Sequence, residues 1–180
     1  MGRLFKSAVV IACMVASLTV TGTASSAPTI PLNLSMSVNA FTMFSGCCDD
    51  FTDADPVTLV VPRLGRLTLN TSLDVCGSSC DPNGRTTLSL QFTAPSGDTF
   101  VLEGVMESGT LSDVSESGSG TWAVVDSGPA APTGRFTRMT GSGSWSAVAV
   151  MTGPPSPPEG PPGTGSILTF SVNGTLTRHA

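Results

Sequence analysis

The sequence predicts an all-β protein: a single antiparallel β-barrel of about eight strands, with a β-sandwich as the alternative architecture. Three observations carry this. Apolar and polar residues alternate with a period of two through most of the chain after residue 28, the signature of half-buried strands. No window of about 12 or more residues in that region holds a helical apolar stripe free of Gly and Pro. Finally, a small-residue phrase occurs twice, with one Trp in each copy: Ser117-Gly118-Ser119-Gly120-Thr121-Trp122 and Thr140-Gly141-Ser142-Gly143-Ser144-Trp145. Glycines permit close backbone approach, and an indole needs a small residue opposite it. The two copies are therefore expected to be neighbouring antiparallel strands. Long strands with Gly at bulge-like positions favour closure into a barrel over a sandwich.

Residues 1–27 read as an export signal. Arg3 and Lys6 form a basic start, Ala8 to Val20 an apolar run, and Thr23 to Ala27 a stretch of small residues with cleavage expected between 24 and 27. The run is shorter than the roughly 20 apolar residues of a membrane helix, so no transmembrane segment is expected in the mature chain. Residues 28–180 form one domain by size. The expected location is secreted, periplasmic or cell-surface.

Leu32, Leu34, Met36 and Val38 alternate with polar residues and begin the first strand, which Phe41, Met43 and Phe44 extend. Residues 45–56 read as an acidic, cysteine-bearing loop. Val57 to Val61 forms a short strand stopped by Pro62, and Leu67 to Val75 a long one. Pro82, Asn83 and Gly84 make a turn. Strands follow at Leu88 to Ala94 and Thr99 to Met106, with residues 111–116 ambiguous between strand and turn. The two Trp strands come next. The Pro- and Gly-rich segment 153–165 forbids helix and central strand. Only one further strand, Ile167 to Val172, follows it, and a lone strand does not fold by itself, so the segment is expected to be a loop of the same domain.

Removing Cys13 with the leader leaves Cys47, Cys48, Cys76 and Cys80. In an exported chain these imply two disulfides. A vicinal Cys47–Cys48 ring is strained, which favours bridges between the 47–48 pair and the 76–80 pair, in either register. The mature cations are all arginines, set against 13 carboxylates. That acidic balance argues against nucleic acid, which demands a basic surface.

Gly134-Arg135-Phe136-Thr137-Arg138-Met139-Thr140-Gly141-Ser142-Gly143-Ser144-Trp145 resembles a segment of exported bacterial barrels grouped with the allene oxide cyclase and dirigent proteins. Leu168 to Leu176 is similar to their last strand. The resemblance covers residues 99–177 and implies an eight-stranded antiparallel barrel with an apolar lumen. It carries over no catalytic residue.

Catalytic parts are few. His179, the only histidine, sits next to the end of the chain, where termini fray. Neither a G-x-S-x-G elbow nor an H-E-x-x-H helix is present, so nucleophile-plus-base and zincin chemistry lack their parts. Glu103, mid-strand between Val101 and Val105, is the candidate general acid or base. In a lumen its pKa would rise, with Arg135 or Arg138 facing it. Otherwise it belongs to a mixed solvent face. Asp49, Asp50, Asp53 and Asp55 are candidate calcium ligands as hard oxygen donors, although their spacing is not that of an EF-hand and a solvated acidic loop is the simpler reading. No cofactor is expected. The reading favoured is a non-catalytic exported barrel that binds a small apolar ligand or a surface partner. A cyclase- or isomerase-like enzyme using Glu103 and a structural cell-surface protein are the alternatives.

Overall fold

The computed structural model describes residues 27–45, 48–76, 86–111, 115–152 and 165–179. Residues 1–26 (nearly all of the expected export signal), Cys47, Cys80 and most of the proline-rich segment lie outside the described residues. Nine strands form one antiparallel sheet: β1 (Thr29–Ser45), β2 (Cys48–Asp53), β3 (Val57–Val61), β4 (Gly65–Cys76), β5 (Thr86–Thr93), β6 (Thr99–Leu111), β7 (Ser115–Val124), β8 (Met139–Met151) and β9 (Ser166–Arg178). Their order is β2-β1-β9-β8-β7-β6-β5-β4-β3, and β2 also pairs with β4. That last pairing closes the sheet. The protein is an eight-stranded antiparallel barrel with β3 as an added strand, and the sandwich alternative is set aside.

One strand position of the barrel wall is shared. β2 pairs with residues 72–76 of β4, and β3 with residues 65–69 on the same side. Between them the chain bends through Asp53 to Pro56, where a proline is tolerated because no ladder bond is needed. The bend leaves the Thr71 amide between the two partners, and Asp53 Oδ1 accepts from it at 2.9 Å. A side chain thus replaces the missing ladder acceptor.

Residues 45–56 were expected to be a loop. Cys48–Asp53 is instead a strand, held by β1 on one edge and β4 on the other. Pairing on both sides outweighs the low β-propensity of its aspartates. β1 likewise runs farther than its alternating core, because β9 pairs with it from Thr29 to Ala40 and β2 from Ala40 onward.

The two Trp copies are neighbours, as their repetition predicts. Gly120 lies opposite Trp145, and Trp122 opposite Gly143. Both indoles are buried and lean across the adjacent strand. A Cβ added at Gly104 on β6 would lie 2.6 Å from Trp145 Cδ1, and one at Gly174 on β9 would lie 2.6 Å from Trp122 Cζ2. Each indole N–H donates to a backbone carbonyl of that farther strand: Trp145 to Val105 at 3.2 Å, Trp122 to Asn173 at 3.1 Å. Two aromatic side chains thereby bind four consecutive wall strands, β6 to β9.

Core packing fills the interior. Phe51, Phe170, Leu32, Leu69, Leu73, Leu88, Leu90 and Leu102 are essentially fully buried. At one end Phe92 stacks on Phe100 (4.7 Å between centroids), and Phe136 meets Phe100 edge-on at 4.9 Å. Phe136 comes from a short 3₁₀ turn, Gly134–Phe136, in the β7–β8 connection. That connection folds over the mouth and plugs it. At the other end the interior becomes polar: Thr42, Thr86, Ser166 and Glu116 are buried there, and Thr42 hydrogen-bonds Ser166. Outside the wall at this end, Cys48 and Cys76 face each other across β2–β4 and form a disulfide, with Cα atoms 4.1 Å apart. This bridge joins the 47–48 and 76–80 pairs, the class favoured from sequence.

Candidate functional site

Two clusters of polar side chains stand out, one inside the barrel and one at its plugged mouth. The inner one is a pair of carboxyls. Counting in twos along β7, Glu116 shares the inward face with Gly118, Trp122 and Val124, and it is 5% exposed. Asp49 shares the inward face of β2 with Phe51. β2 and β7 stand on opposite walls of the ring, yet the Asp49 and Glu116 carboxyls interact. Burial, then the hydrogen bond to Asp49, then the Asp49 charge push the Glu116 pKa from 4.5 up to about 8. At neutral pH Glu116 therefore holds its proton. Glu116 Oε2 and Asp49 Oδ1 are buried without a hydrogen-bond partner.

The expected aspartate cluster is divided by the strand it occupies. Asp49 and Asp53 point inward and Asp50 outward, while Asp55 is exposed in the bend. Side chains that alternate across a wall do not converge on one ion. Among the described residues no group of three or more His, Cys, Asp or Glu side chains is placed to hold a metal. Asp50 sits directly opposite Asp74 on β4. Burial, followed by the Asp50 charge and hydrogen bond, raises the Asp74 pKa.

Glu103 is not in the lumen. Leu102 and Gly104 take the buried positions on either side of it, and Glu103 lies half-buried on the outer face opposite Ser89 and Ala123. With Val105 and Asp126 it borders a shallow outer cleft of about 360 Å³. Arg135 and Arg138 lie elsewhere, at the mouth. The lumenal position imagined for Glu103 is held by Glu116, which sequence reasoning passed over. The surroundings of Glu116 are serines and glycines, so no apolar alternation marks its face; counting back in twos from Trp122 would have found it.

The second cluster is a cleft of about 480 Å³ on the outside of the plugged mouth. Arg135, Arg138, Arg178 and His179 line it, together with Pro28, Gly134 and Thr137. Arg135 is fixed from below: its guanidinium lies 4.7 Å from the centre of the Phe136 ring and donates to the Leu64 carbonyl at 2.9 Å. The terminal segment is held as well. The Arg178 amide donates to Pro28 O at 3.4 Å and the His179 amide to Arg138 O at 3.3 Å. His179 Nε2 lies 3.1 Å from Thr140 Oγ1. The histidine expected at a fraying end is thus pinned into a cleft, because β9 pairs with β1 up to Thr177 and with β8 up to Arg178. Three separate stretches of chain build this cleft, which is why no local motif announces it.

No family model matches the chain, and comparison with curated proteins and with solved structures finds no match.

Proposed function

We propose that the chain is an exported, disulfide-stabilised barrel that binds without catalysis and meets its partner on its outer surface and ends. The observation that carries this reading is a lumen occupied by the protein's own side chains. Phe51, Phe92, Phe100, Phe136, Phe170, Trp122 and Trp145 are all at most 3% exposed, and interiors packed in this way leave no room for a guest. A small apolar ligand inside the barrel, one of the two partners expected from sequence, fits this interior poorly; a surface partner fits it well. The resemblance to allene oxide cyclase-like barrels supports the scaffold alone, since fold does not carry function. Placement of Glu103 outside the lumen weakens the cyclase-like alternative.

Native mass spectrometry of the exported protein tests the proposal. The expected spectrum shows a chain cut between residues 24 and 27, oxidised at its cysteines, with no small molecule retained. A stoichiometric apolar molecule released on denaturation would overturn the surface-binding reading.

A further inference from the structure

We propose that the mouth cleft is a binding site for an oxyanion, the phosphate or carboxylate group of a small molecule. The assignment rests on the reading of a barrel that binds outside its lumen, and it names the place and the chemistry. Its basis is convergence. After the leader the chain holds only arginines as permanent cations, outnumbered by 13 carboxylates. Arg135, Arg138 and Arg178 nevertheless line one cleft, beside the only histidine. An anion in the cleft would meet the attraction of the Arg135 and Arg178 charges together.

Geometry adds to the charge. The Leu64 carbonyl and the Phe136 ring hold the Arg135 guanidinium before any ligand arrives. An arginine fixed in this way loses little side-chain entropy on binding, and its planar fork matches the two oxygens of a carboxylate or phosphate. His179 is held through Thr140, and Arg178 by the last pairs of β9 with β8 and by Pro28. The Arg135 guanidinium and the His179 ring are therefore held in place around one opening, and Arg178 is anchored beside them through its backbone. Asp98 comes close at Gly134 and accepts from Ser96 Oγ at 2.8 Å, but it does not line the cleft.

The test is an amide NMR titration of the mature, oxidised protein with sodium phosphate, and separately with sodium citrate, at constant ionic strength. Saturable shifts confined to Gly134, Arg138, Arg178 and His179 are expected with at least one of the two anions, and which anion saturates separates the phosphate source from the carboxylate source. Arg178→Gln should weaken that binding about tenfold, Arg178→Lys less, because Lys keeps the charge but loses the fork. Arg66→Gln, at an exposed position of β4 outside the cleft, should leave it unchanged. Shifts that never saturate, or that respond equally to Arg66→Gln and Arg178→Gln, would overturn the site. Saturable shifts on the outer wall alone would also overturn it while keeping the surface-binding reading. Retention of a lumenal molecule in the mass spectrum would end that reading without touching the titration.

Discussion

Glu116 and Asp49 project into the barrel from opposite walls, and burial together with the Asp49 carboxyl holds the Glu116 pKa far above its ordinary value. Glu116 therefore keeps its proton at neutral pH, so the polar end of the interior is sensitive to pH in a way the aromatic end is not.

The direction of that sensitivity follows from the shift. Unfolded, Glu116 loses its proton near 4.5; folded, it keeps it to about 8. Between those values the folded state binds more protons, so stability falls as pH rises through the window and levels off above it. Asp74, also raised, adds to the fall. Chemical denaturation at about pH 5 and about pH 8.5 should show a loss of a few kcal/mol, of order. Glu116→Gln keeps a donor for Asp49 and should flatten the profile. Equal slopes in both proteins would mean that Glu116 is ionised in the fold.

Gly104 is where the Trp145 indole lies flat against the wall, with Cδ1 and Nε1 both 2.6 Å from where a Cβ would stand. Gly104→Ala should destabilise the protein by about 1–3 kcal/mol, since the interior has no slack to take up a methyl group. Trp145→Phe should relieve part of this, and the double variant should be less unstable than the sum of the singles. Strict additivity in a thermal-melt cycle would contradict the contact.

Asp53 supplies the acceptor that the bend between β2 and β3 withholds from Thr71. Asp53→Ala should cost about 1–3 kcal/mol by orphaning a buried amide. Asp53→Asn keeps an oxygen and should cost clearly less. Amide exchange at Thr71 reports the same event locally, and the Ala variant should accelerate it most.

The Cys48–Cys76 bridge spans 28 residues of sequence. Replacing both cysteines by serine should lower stability by roughly 3–4 kcal/mol on the chain-entropy account, read as a shift in denaturant midpoint. The barrel should still form, because β2 keeps its pairing with β1 and β4.

Much of the wall was legible from residue alternation alone. The Trp122 and Trp145 phrases revealed their adjacency because each indole needs a small residue opposite it, although their register came only with the structure. β2 was misread because Cys and Asp resemble loop residues, and nothing local reveals that two other strands will pair with the segment. Polar contents of the interior were the hardest to see. Glu103 takes the mixed outer face that its neighbours Phe100 and Leu102, pointing inward, suggested, whereas Glu116, among serines and glycines, gave no sign of its burial. The mouth cleft was invisible for a different reason: its arginines come together only when the β7–β8 connection and the end of β9 meet.

The pairing of β1 with β9, from Thr29 with Thr177 to Ala40 with Ser166, joins the first of the nine strands to the last. Synthesis delivers them in the opposite order of need. Along residues 29–39, β1 must wait for a partner until the other eight strands have been made, and until then the sheet has raw edges that invite pairing with other chains. A message cut short before residue 166 would therefore yield a sticky open sheet instead of a smaller barrel. For this fold, the last strand made is the one that gives the first its partner.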